Sequence, residues 1–228
     1  MKNILTFICL LFLMFSDAQN SFPNDLVPMG LKGKVKKMRQ KSINKGAKPY
    51  LLDETFFFDK DGYLEKIEHH TLPQVNIERK SLGRLTIFSF INDDSRLGVT
   101  FGETDNDTIK VQRIRLLNDK TIKIQEKQIW NKDYESEIIH KLDSSNKLVE
   151  SETTVFKGKS KNILFNYSCK FIYKNSLIKE IITKSNGVIN KTQIDNEKLD
   201  DYENFTFRNH ISESGTIMFT EEREIEYY

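Results

Sequence analysis

Four histidines, two cysteines and a scatter of carboxylates are the groups through which this 228-residue chain could do chemistry. His69 and His70 are adjacent, and neighbours on a strand point to opposite faces, so the pair does not converge on one metal. His140 shares a strand face with Ile138 and Leu142 and reads as a core-edge residue. His210 stands apart, and no local cluster of His, Cys and carboxylate has zinc spacing. Asp59, Asp61, Gly62 and Glu68 fall where four positions of a calcium loop would lie, with Leu64 at its apolar position. Phe57 occupies the first ligand position, however, and no helices flank the segment. Turn-capping carboxylates account for the pattern better. Cys169 lies between Tyr167 and Phe171 on one strand face, an apolar setting that raises a thiol pKa and makes the residue structural. Nucleophile elbow, His-Glu-x-x-His and phosphate-loop patterns are all absent from the sequence. No metal and no cofactor is expected. Catalysis would have to come from dispersed Asp and Glu flanking a glycosidic bond, since acid and base carboxylates need not be close in sequence.

Binding has a more local signal. Lys32, Lys34, Lys36, Lys37, Arg39 and Lys41, followed by Lys45 and Lys48, occupy a stretch from Leu31 to Tyr50 that has no carboxylate. Such a stripe suits an anionic glycan, lipopolysaccharide phosphates or an acidic protein. Lysines on an edge strand also prevent sheet-to-sheet aggregation, and edge protection is the preferred reading of the stripe. The C-terminus mirrors it, with Glu221, Glu222, Glu224 and Glu226 around a lone Arg223. If the chain closes on itself, the two stripes can pair. Counting back from Tyr228 by twos gives three glutamates, where a lipid-facing strand would need apolar residues. No membrane span is expected. A net charge of +2 selects no partner.

These residues must be positioned by strands. Short alternating runs are broken by polar turns every dozen residues or so. Phe56-Phe57-Phe58-Asp59-Lys60-Asp61-Gly62-Tyr63-Leu64 is the clearest case: an aromatic strand end, a capping Asp, a Gly suited to positive φ and a return strand. Phe165, Tyr167, Cys169, Phe171 and Tyr173 share one face, opposite Asn166, Ser168 and Lys170. Period two with one wet face predicts antiparallel sheet. Asp195 to Glu203 alone breaks the rhythm and reads as an acidic loop or short helix. The fold class is all-β: an antiparallel meander of repeated hairpins, forming a curved open sheet or a partly closed barrel.

The first eighteen residues differ from the rest. Lys2, the apolar-rich run Ile4 to Phe15 and the small residues around Ala18 make a secretory signal peptide, too short to span a bilayer. Residues 19–228 then form one β-repeat domain in which Cys169 is the sole cysteine, so burial rather than a disulfide stabilises it. Cys9 lies mid-run rather than at the cleavage point, so no lipid anchor is expected. Export makes nucleic acid a poor partner and envelope glycan or protein a better one.

Two further segments vary the Phe58–Ile67 unit: Leu142-Asp143-Ser144-Ser145-Asn146-Lys147-Leu148 and Tyr173-Lys174-Asn175-Ser176-Leu177. With the opening Leu31-Lys32-Gly33-Lys34-Val35, the segment Asp201 to Arg208 and the ending Glu222 to Tyr228, they resemble the degenerate YD (Rhs-type) repeats of small exported proteins in Bacteroidota-like bacteria. Phe205 and Glu203 replace the Trp and Gly usual there, and Gly83 to Tyr134 shows no clear unit. The resemblance implies a β-repeat sheet with no assigned chemistry. The expected function is therefore an exported, non-catalytic scaffold or binding protein, periplasmic or extracellular. A glycan-active hydrolase is the alternative.

Overall fold

Asp59 closes its turn as the spacing predicts. Its Oδ1 accepts the backbone N–H groups of Asp61 and Tyr63, both at 2.9 Å, and Gly62 takes a φ of +87°. The same device recurs at Asp143, which accepts from Ser145 and Lys147 while Asn146 takes φ +62°. It recurs again at Asp200, which accepts from Tyr202 and Asn204 at 2.9 Å with Glu203 at φ +62°. A carboxylate oxygen satisfies two amides that the ladder has released, so the chain reverses without orphaned donors.

The structure, a computed structural model, describes residues 22–44, 51–71, 83–102, 107–129, 131–158 and 160–228. The proposed signal peptide lies outside the described residues. The strands are β1 (Val35–Asn44), β2 (Leu51–Phe58), β3 (Leu64–Thr71), β4 (Arg84–Asn92) and β5 (Ser95–Gly102). Next come β6 (Thr108–Asn118), β7 (Thr121–Gln128), β8 (Tyr134–Leu142), β9 (Leu148–Lys157) and β10 (Asn162–Lys174). β11 (Leu177–Ser185), β12 (Val188–Leu199), β13 (Phe205–Ser212) and β14 (Ile217–Tyr227) complete the series. Each pairs antiparallel with its sequence neighbour, and β1 pairs with β14, giving a closed fourteen-stranded barrel. The segment expected as a loop or short helix is instead the end of β12 followed by the Asp200 turn. Its acidic composition masks an ordinary strand whose register shifts twice against β13.

Strand register separates two faces. Met38 opposite Phe56 turns inward, and both are buried; Arg39 opposite Thr55 turns outward. The outer wall mixes charged side chains with exposed apolar ones such as Ile87, Leu117 and Ile172. Lys123 pairs with Glu137 at 2.6 Å, Lys127 with Glu135 at 2.7 Å, and Lys141 with Glu150 at 3.0 Å. Such cross-strand ion pairs line the β7–β9 part of the wall. No helix among the described residues is long and apolar enough to cross a membrane, which says nothing of strands.

The two ends differ. One gathers the turns at 59–63, 93–94, 119–120, 143–147, 175–176 and 200–204, and there residues 22–34 plug the lumen. Leu26 and Leu31 pack with Val35, Met38, Phe56, Phe58 and Leu64, while Phe22 reaches Ile114, Ile122 and Leu142 on the other side. Polar ties fix the plug. Asp25 accepts from Leu64 N (2.6 Å) and Arg96 Nη1 (2.5 Å), and buried Asn204 bonds both N and O of Lys32. Arg96 is almost fully buried among the rings of Phe22, Tyr63, Phe88 and Phe90. The opposite end is hollow.

Candidate ligand-binding lumen

Register builds the hollow half. Going round the barrel, Cys169 faces Thr183, Phe171 faces Ile181, Ile181 faces Thr192, Thr192 faces Ser212 and His210 faces Phe219. These inward side chains, with Tyr167 and Met218, line a cavity of about 630 Å³ that is mainly apolar. Its mouth is flanked by three adjoining hairpin tips whose Ile163, Leu164, Val188, Ile189, Ile217 and Met218 stay exposed. Cys169 Sγ donates to the Tyr167 hydroxyl at 2.9 Å, and burial pushes both the thiol and the phenol up. The thiol is thus held in its protonated form, as expected for a structural cysteine.

Beneath this cavity lies a buried ionic cluster. Glu221 accepts from Arg208 Nε at 2.5 Å and from His210 Nε2 at 2.7 Å, while its other oxygen accepts from Gln40 at 3.1 Å. Arg223 donates to Gln40 at 2.8 Å, and the two guanidinium groups lie 3.7 and 3.8 Å from the centroid of the Phe205 ring. Burial alone would raise the Glu221 carboxyl. The His210 bond and the charges of Arg208 and Arg223 outweigh it and hold the group at about 2. Burial lowers His210 despite Glu221, so the imidazole is neutral at pH 7. Its ring stacks on Phe219, with centroids 3.8 Å apart.

A second cavity of about 490 Å³ lies between β2 and β7 and has a different lining: Leu52, Glu54, His69, Arg84, Thr100, Ile109, Lys110, Glu126 and Gln128. Register again explains it, because Glu54 faces His69, His69 faces Arg84, and Lys110 faces Gln128. Glu54 Oε1 lies 2.8 Å from His69 Nδ1, and His69 Nε2 lies 3.0 Å from Thr86, which bonds Thr100 at 2.9 Å. Glu126 accepts from Lys110 at 3.1 Å and from Ser136 at 3.0 Å. A smaller cavity of about 210 Å³ shares Met218 and Phe219 with the first and Leu52 with the second. The three lie in a row across the lumen.

The basic stripe maps elsewhere. β1 is bonded on both sides, so its cations stand within a closed sheet rather than along a free edge. Lys32 pairs with Glu203, Lys36 with Glu226, Arg39 with Asp53 in bidentate fashion, and Lys41 with Glu224. Lys37 lies over the Phe57 ring, and Lys34 is exposed. His69 and His70 do point to opposite faces: His69 turns into the lumen and His70 pairs outward with Glu68 at 3.9 Å. Among the described residues no group of three or more His, Cys, Asp or Glu is placed to hold a metal ion. The sequence reading missed the cavity lining. Its only signal was the aromatic face of β10, which does not reveal that facing strands leave space between them.

No family model matches the chain, and no curated protein matches it. Among solved structures the chain is similar in shape to a porin-like protein from Bacteroides uniformis, with a TM-score of 0.46 and 14% identity over 91% of this chain and 99% of that one. A porin-like protein from Bacteroides vulgatus gives a TM-score of 0.49 and 11% identity over 86% of this chain and 99% of that one.

Proposed function

We propose that the protein is an exported, non-catalytic binding protein of the cell envelope that holds a small ligand in the hollow half of its lumen. One observation carries this reading: the barrel is filled by its own N-terminal segment at one end and holds an open, largely apolar cavity of about 630 Å³ toward the other. That volume lies within the roughly 300–1,000 Å³ range of small-molecule sites. A plugged end argues against a through-channel, and the ion pairs on the β7–β8 face support a barrel standing in water. Exposed apolar residues around the mouth suit entry of an apolar group. The Asp-led turns at Asp59, Asp143 and Asp200 support kinship with the YD-type repeats. The hydrolase alternative would centre on Glu54 and Glu126, which line one cavity. Glu54 is held by His69, and Glu126 by Lys110 and Ser136.

Titration with the apolar dye N-phenyl-1-naphthylamine tests the reading. A saturable fluorescence rise at one dye per chain, lost when the cavity is crowded by Thr183→Trp, is the expected result. A linear, non-saturating response overturns it.

A further inference from the structure

We infer that the ligand is an uncharged amphiphile whose apolar body occupies the β10–β14 lobe and whose hydroxyl-rich head occupies the β2–β7 lobe. This rests on the binding reading above and adds the chemical class of the ligand. Three observations lead to it.

The lobes differ in character while lying in one row. Phe171, Ile181, Met218 and Phe219 give one end an aromatic and aliphatic wall, with Lys191 and Glu213 as its charged groups, whereas Glu54, Arg84, Lys110 and Glu126, with His69 and Gln128, concentrate charge at the other beside Leu52 and Ile109. The cavity between them is bounded by Leu52, Met218 and Phe219 along with Ser42 and Asn44, a wall that suits the joint between an alkyl chain and a polar head. A ligand that is apolar throughout would leave the charged lobe poorly matched. One that is polar throughout would waste the aromatic lobe.

Charge then decides what kind of head. Arg84 and Lys110 are set against Glu54 and Glu126, so the formal charges of the polar lobe balance, with His69 beside them. An anionic head would meet two carboxylates and a cationic head two basic groups, and each would lose in repulsion part of what it gained in attraction. Hydroxyl groups both donate and accept, so a sugar-like head can use the carboxylates as acceptors and Arg84, Lys110 and Gln128 as donors. Electroneutral lining of mixed donors and acceptors therefore selects a polyol over an ion.

The test uses the full chain and probes that share one tail. Octyl glucoside, 1-octanol, octyl sulfate and octylammonium are each titrated calorimetrically below their micelle concentrations, together with glucose alone. Octyl glucoside is expected to bind one per chain and about tenfold more tightly than the three other octyl compounds, as one or two additional net hydrogen bonds would give. Glucose alone is expected to bind far more weakly. The double variant Glu54→Gln with Arg84→Gln is expected to lower octyl glucoside to the affinity of octanol, leaving octanol unchanged. If octanol or an ionic probe matches octyl glucoside in the wild-type protein, the head assignment is overturned while the binding reading stands. If no octyl compound binds, both fall. The comparison among probes on the unmodified protein needs no variant, so misfolding of the double variant leaves the test intact.

Discussion

Gly62 and Gly187 have nearly the same backbone and different surroundings, which makes them a controlled pair. Their φ angles are +87° and +84°, and each completes a hairpin turn. A Cβ on Gly187 would meet nothing within 4 Å, whereas one on Gly62 would lie 2.8 Å from Leu26 Cδ1 and 3.0 Å from Leu26 Cγ. Leu26 belongs to the packed plug and has little room to yield. Gly187→Ala should therefore cost only the left-handed strain of an L-residue, about 1 kcal/mol. Gly62→Ala should cost that and also overpack the plug, adding roughly 1–3 kcal/mol. Urea denaturation midpoints of the two variants decide it. Equal midpoints would mean that the plug does not sit against the β2–β3 turn.

At the level of elements, the neighbouring strands β13, β14 and β1 are joined along the inner wall by the Arg208–Glu221–His210 cluster and Gln40, and this makes their stability depend on pH. Below pH 6.5 an unfolded chain protonates His210 more readily than the folded one does, because burial lowers the folded imidazole. Between 4.5 and about 2 the same holds for Glu221, whose carboxyl the cluster keeps ionised. Both contributions are present above these ranges and are lost on acidification, Glu221 accounting for up to roughly 3 kcal/mol. Glu221→Gln should lower stability at pH 7 and flatten the decline between pH 4.5 and 2, a comparison read from denaturation midpoints at stepped pH. An equal slope in both proteins would place the acid sensitivity elsewhere. The elements themselves were legible because turn chemistry is local: Asp59 and Asp143 carry their own acceptors, and Phe165 to Tyr173 alternates cleanly. Asp200 was hidden because β12 is acidic and bulged, so its alternation breaks just before the turn. The ionic cluster was illegible for a different reason. Glu221 reads as one more charge of the terminal stripe, and only the inward phase of β14 separates it from exposed Glu222, Glu224 and Glu226.

For the whole molecule the decisive event is closure, which pairs β1 with β14 across nearly the full length of the chain. Local sequence cannot dictate such a contact, since β1 and β14 each have a hairpin neighbour on one side only and need any partner on the other. The opposite signs of the two stripes were the legible hint, and the register realises it by setting Arg39 against Glu224, and Lys41 against Glu222. Across this seam Lys36 bonds Glu226 at 2.7 Å and Lys41 bonds Glu224 at 3.5 Å, all on the water-exposed wall. Lys36→Glu with Lys41→Glu should lower the denaturation midpoint, and adding Glu224→Lys with Glu226→Lys should restore it. Because the pairs are exposed, the loss should shrink in about 1 M salt, where the screening length is about 3 Å. Arg39 is left unchanged, since removing it would strand the buried carboxylate of Asp53 and confuse the result. Intramolecular closure also fixes the concentration dependence. A barrel closed within one chain unfolds at a midpoint independent of protein concentration, whereas strands exchanged between copies give a midpoint that rises with it. Rescue by the second reversal at a concentration-independent midpoint is the expected outcome. A midpoint that climbs on concentration would show that β1 finds its partner on another molecule.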